Sequence, residues 1–122
     1  MLSGDQIMQF LRQALKPENA ARRLQVLRGA AAGRPHVAGM RVRYDSASLD
    51  LHAVHIGEEP LKPDRKYIVA GTDLEFYDFM GYLPIPESQI EYEVPTIMPE
   101  VLEDYIARHT PVNAPPANRI TS

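Results

Sequence analysis

The stretch GMRVRYD, residues 39–45, alternates apolar and charged side chains without a break. Met40, Val42 and Tyr44 fall on one side of an extended backbone, and Arg41, Arg43 and Asp45 on the other. That is the pattern of an antiparallel strand with one face buried and one in water. LDLHAVHIG continues it as a second strand, and GEEPLKPD carries the glycine and prolines of a solvated turn. KYIVAGT is expected as a short, mostly apolar strand. QIEYEV alternates again, with Ile90, Tyr92 and Val94 on one face.

Helical periodicity flanks these strands. Ser3 is placed to cap a helix over LSGDQIMQFLRQALKP, and Gln6, three positions on, completes a capping box. Ile7, Phe10, Leu11, Ala14 and Leu15 then form one apolar stripe. Pro17 ends this helix and opens a second through PENAARRLQVLRG, closed by Gly29. A last helix is expected from Pro99, burying Val101, Leu102, Tyr105 and Ile106. Helices, then strands, then a helix make an α+β chain: layered helices on an antiparallel or mixed sheet. Residues 1–110 read as the domain and 111–122 as an extended proline-rich tail along the surface.

The chain's 122 residues suffice for one hydrophobic core. A net charge of −3 with interspersed signs argues against a nucleic-acid or anionic-membrane surface, and no apolar run approaches a membrane span. The N-terminus lacks the features of a signal peptide. With no cysteine, disulfides and thiolate chemistry are excluded, which fits a reducing compartment.

No catalytic set emerges. His52 and His55, three apart on a strand, fall on opposite faces, while His36 and His109 are isolated, so a metal site is rejected. His109 suits the negative end of a helix dipole. Glycine-rich phosphate loops and nucleophile elbows are missing. What stands out is AGTDLEFYDFMGYLP, residues 70–84, where Phe76, Tyr77, Phe79 and Tyr82 crowd among Asp73, Glu75 and Asp78. Aromatics after the carboxyl end of a strand can stack on a planar base, and acids beside them can accept from ribose hydroxyls. The three-residue spacing of Phe76, Phe79 and Tyr82 also suits one helical turn plugging a core, and the pattern alone favours the plug.

The order of segments resembles the C-terminal domain of the 5'-nucleotidase family, metallophosphatases that include UDP-sugar hydrolases and cyclic-nucleotide phosphodiesterases. LSGDQIMQFLRQAL is similar to the family's LTG-x-QL helix, and HVAGMRVRYD to its LQVSGLRVTYD segment, with Val37, Gly39, Tyr44 and Asp45 in register. VHIGEEPLKPDRKYIVAGTDL resembles the family's hairpin, and PVNAPPANRI its ending in Arg-Ile. The resemblance covers nearly the whole chain. It implies the later part of a four-layer α-β-β-α domain, truncated on its N-terminal side.

In such proteins this domain grips the nucleoside, often between two phenylalanines, while a separate N-terminal domain breaks the phosphate ester with two divalent metal ions. The implied role is therefore substrate recognition without catalytic residues, metal ligands or cofactors in this chain. The implied partners are a nucleotide or related phosphate ester and the metallophosphatase domain of a bacterial-type parent, either cytoplasmic or exported. The candidate substrate-binding residues are Asp73, Leu74, Phe76, Tyr77, Asp78, Arg34 and His36. Arg34 falls at the first stacking phenylalanine and His36 at the family glutamine. Asp73 takes the asparagine position, Leu74 that of the second phenylalanine, and Asp78 is matched to the family aspartate. Phe76 or Tyr77 would supply stacking from neighbouring positions. The alternative is a binding or dimerisation module without nucleotide affinity: a sheet cut short presents an unpaired edge and an uncovered apolar face. A homodimer, by strand or helix exchange, is then expected.

Overall fold

The computed structural model describes residues 1–20, 35–72, 76, 82, 85–92, 97–115 and 117–122. Strand β1 (Leu2–Ser3) leads into helix α1 (Gly4–Ala14) and the short helix α2 (Pro17–Ala20). Then come β2 (Met40–Tyr44), β3 (Leu51–Ile56), β4 (Glu59–Pro60) and β5 (Lys66–Tyr67). A 3-10 turn over Glu87–Gln89, helix α3 (Met98–Arg108) and β6 (Ile120–Thr121) complete the order. The chain is α+β, with a four-stranded sheet in the order β4-β3-β2-β6 and a two-stranded pair β1-β5.

Helix α1 begins where its capping chemistry dictates. The first amide groups of a helix have no partner within it and must find one elsewhere. Gly4 N–H donates to Arg65 O at 2.9 Å and Asp5 N–H to Pro63 O at 3.1 Å. Gln6 N–H donates to Ser3 Oγ at 3.2 Å, while Ser3 N–H donates back to Gln6 Oε1 at 2.9 Å. The expected capping box is therefore present. Gly4 is required by space: a Cβ there would sit 2.2 Å from the Lys62 carbonyl oxygen. At the other end, the buried Asn19 donates its side-chain amide to Gln13 O.

Ile7, Leu11, Ala14 and Leu15 are buried, as their spacing predicts. Ile7, Leu11 and Leu15 meet Val42, Tyr44 and Val54 from the sheet, with Leu2 and Ile85, in one core. The alternation in β2 holds: Val42 and Tyr44 are buried, Met40 half-buried, and Arg41 and Arg43 exposed. Strand β3 runs antiparallel to β2 with Val54 opposite Val42. The loop between them is organised by Asp45, whose Oδ1 accepts from Ala47 N–H at 2.8 Å and Ser48 N–H at 2.7 Å. Gly57, at φ +60°, occupies the first loop position of the two-residue hairpin joining β3 to β4, where such turns favour glycine.

Several expectations are corrected. GEEPLKPD is more than a turn, because Glu59–Pro60 pairs with His55–Ile56 as β4. KYIVAGT pairs only over Lys66–Tyr67, since β1 offers two residues; Ile68 beyond it is 87% exposed. Ile90, Glu91 and Tyr92 belong to no strand, and Tyr92 is exposed; Val94 lies outside the described residues. The second helix is described only to Ala20; its continuation to Gly29 lies outside the described residues. The tail ends in a strand: β6 lies parallel to β2, with Val42 N–H donating to Arg119 O at 2.7 Å. Helix α3 forms over the expected residues, but its stripe is not buried: Val101, Leu102, Tyr105 and Ile106 are 47–52% exposed. None of them joins the core cluster of described residues.

Candidate functional site

Of the seven residues that the resemblance assigns to substrate binding, the described set contains Phe76 and His36. Arg34, Asp73, Leu74, Tyr77 and Asp78 lie outside the described residues. Phe76 is half-buried and packs against the core cluster. His36 is exposed in the segment that enters β2. The two have separate surroundings. One is a core contact, the other a surface group beside Val37, whose carbonyl accepts from Arg119 Nη1 at 2.9 Å.

Tyr82, from the same aromatic loop, is buried and meets Phe10 of α1 edge-on, with ring centroids 5.1 Å apart and planes at 64°. Such a T-shaped pair sets the positive edge of one ring on the negative face of the other and anchors the loop's far end to α1. At both described aromatic positions of the loop the ring therefore serves the core. Ile85, just beyond, is buried in the same cluster. The loop is thus tied down at Phe76, Tyr82 and Ile85.

The ion-paired groups gather around the β3–β4 turn and the loop after it. Arg41 pairs with Glu58 at 3.0 Å across the hairpin turn, and His55 lies opposite Arg41 in register. Glu59 holds Arg65 at 3.1 Å and Lys62 at 3.7 Å. All these pairs are exposed, where one ion pair contributes about 0–1 kcal/mol. Asp45 has its carboxyl held below the usual aspartate range, first by the Ser48 and Ala47 amides, with a smaller pull from His52. This is loop-closing chemistry rather than proton transfer.

The histidine geometry departs from strict alternation. Arg43 pairs with Ala53 and Tyr44 with Leu51, so His52 is the extra residue of a β-bulge. A bulge interrupts the two-residue period on which the opposite-face placement of His52 and His55 rests. Sequence gave no sign of it, because bulge placement depends on the partner strand. Among the described residues, no group of three or more His, Asp or Glu is placed to hold a metal ion. No described helix is long and apolar enough to cross a membrane.

Gly4 and Arg119 lie inside the resembling segments LSGDQIMQFLRQAL and PVNAPPANRI, but spacing alone does not announce their tasks. Gly4 admits the Lys62 carbonyl against α1, and Arg119 ties the chain's last strand to the segment carrying His36. No family model, curated protein or solved structure matches the chain.

Proposed function

We propose that this chain is a non-catalytic recognition domain of the 5'-nucleotidase type, the later part of a four-layer α-β-β-α unit. It would hold a nucleotide or related phosphate ester for a separate metallophosphatase domain carrying two divalent metal ions. The observation that supports this reading is the junction between two of the resembling segments. In LSGDQI, Ser3 caps α1, Gly4 clears the Lys62 carbonyl, Gln6 closes the capping box and Ile7 enters the core. The loop that Gly4 and Asp5 bond is Lys62–Arg65, inside the resembling segment VHIGEEPLKPDRKYIVAGTDL. Each specified position of the L-T-G-x-Q-L pattern thus has a structural task here, and the tasks join the two segments.

The substrate would be met by side chains from residues 34–36 and 73–78, of which Arg34, His36, Asp73 and Asp78 carry polar groups and Tyr77 a ring. The test has two arms. Nucleosides, nucleotides and UDP-sugars at millimolar concentration are titrated into the isotope-labelled chain, with shifts expected at His36 and residues 73–78 and lost in a His36→Ala/Asp78→Ala variant. The same panel is incubated with the chain plus manganese or zinc, with no phosphate release expected. Silence across the whole titration, or robust hydrolysis by the chain alone, would overturn the reading.

A second reading, a self-associating module without nucleotide affinity, is favoured by one specific observation. The apolar stripe of α3 is half exposed along its whole length.

A further inference from the structure

The segment that enters β2, residues 35–39, belongs to no strand. Two of its carbonyls are held from other parts of the chain. Gly57 N–H donates to Gly39 O at 2.9 Å, and Arg119 Nη1 donates to Val37 O at 2.9 Å. Val37 directly follows His36, the described member of the candidate set that is exposed rather than packed in the core. We infer that Arg119 is a positioning residue for substrate recognition. Its guanidinium fixes the backbone beside His36, and so sets where that imidazole meets the ligand, without touching the ligand itself. The inference rests on the function proposed above and adds to it a residue 82 positions beyond Val37.

Three observations give Arg119 this task rather than a part in the sheet alone. The first lies in the ladder. Strand β6 already joins β2 through its backbone: Val42 N–H donates to Arg119 O at 2.7 Å, with Val42 opposite Ile120 and Arg43 opposite Thr121. The side chain adds nothing to those rungs. It reaches back to Val37, ahead of the start of β2 at Met40. Arg119 thus grips the incoming chain at both Val37 and Val42, which fixes its direction as well as its place. The second is charge. Arg119 is half-buried, and among the described residues no carboxylate pairs with it. A guanidinium donating to a carbonyl makes a charge-assisted bond, stronger than one between neutral groups. The Val37 carbonyl therefore holds this side chain and is held by it. The third is backbone geometry. Asn118, just before Arg119, stands at φ +62°, a left-handed turn that asparagine tolerates better than most residues. Gly39, at φ +73°, turns the held segment into β2. A defined turn therefore stands on each side of the contact.

The experiment titrates the same panel of nucleosides, nucleotides and UDP-sugars into the full chain and its variants, following the His36 ring resonances. Arg119→Met keeps an unbranched apolar stem and removes the donors, whereas Arg119→Lys restores a charged donor. Arg119→Met is expected to bind about 10-fold more weakly, the worth of one hydrogen bond to a charged group. Arg119→Lys should recover affinity to within about 3-fold of the unsubstituted chain. Without ligand, the His36 ring resonances should already move in Arg119→Met while the β2–β3 amide resonances stay, which a role in stability alone would not produce. Asp45→Ala, which weakens the β2–β3 loop without touching this contact, should leave affinity unchanged. Undiminished affinity in Arg119→Met, or an equal loss in Asp45→Ala, would overturn the role of Arg119 and leave the proposed function standing. If Arg119→Met loses its β2–β3 resonances, Arg119→Gln, polar but uncharged, takes its place, and undiminished affinity there overturns the role in the same way. Silence of the unsubstituted chain across the panel would overturn the proposed function and this inference with it.

Discussion

At Gly4 a backbone approach decides the residue type. The Lys62 carbonyl oxygen occupies the place a Cβ would need, and the same loop accepts from the Gly4 and Asp5 amides. Gly4→Ala must push α1 away from that loop or lose those bonds. A cost of about 1–3 kcal/mol is expected, as for other overpacked positions, read as a lower urea midpoint at unchanged slope. Asp45 gives a second residue-scale expectation. Its pKa is lowered in the folded chain, so it stabilises the fold above its unfolded pKa of about 3.9 and loses that contribution as pH falls toward the folded value. Stability should therefore drop between about pH 5 and pH 3, and Asp45→Ala should flatten that limb. Urea melts of both proteins at pH 6 and pH 3 check it; an equal pH dependence in the two would assign the loop's closure to other groups. Ser3 and Gln6 were legible at this scale because a capping box spans three residues. Gly4 was not, since the atom it avoids lies 58 positions away in the chain.

Two 11-residue amphipathic helices, α1 and α3, make the contrast at the scale of elements. Helix α1 places Leu11 in the core cluster shared with β2 and β3, with 1% of its surface exposed, whereas Leu102 on the apolar stripe of α3 stands half in water. Leu11→Ala should cost about 2–5 kcal/mol, the usual loss for a cavity in a closed core. Leu102→Ala, measured below the dissociation constant of any dimer, should change unfolding by about 0.5 kcal/mol or less. Equal losses would mean that α3 packs on the core in solution. The periodicity of both helices was readable in the sequence; their different fates were not. An apolar stripe records that a helix wants a partner without recording whether the same chain supplies one. The strands divide in the same way. Met40–Tyr44 was plain from its alternation, while β4 and β6, two residues each, exist only through the strand beside them.

For the whole molecule, one core is assembled from α1, β2 and β3 and closed by Leu2, Ile85, Phe76 and the buried Tyr82, while α3 stands apart from it. The aromatic loop contributes to that core at both of its described rings, so the proposed ligand contacts fall to His36 and to residues outside the described set. The two whole-molecule experiments are independent: nucleotide titration reads the proposed ligand contacts, and sedimentation of the chain reads the assembly, where a monomer would overturn the second reading. By itself, the sequence determined the capped first helix, the alternating hairpin strand, the site of the last helix and the α+β class. Each follows from neighbours within about four positions and from the two periods of regular backbone. Only tertiary structure decided the bulge at His52, the strand made by the final residues, the need for Gly4 and the exposure of α3. Those depend on which distant surface arrives opposite a residue, and local spacing carries no information about that.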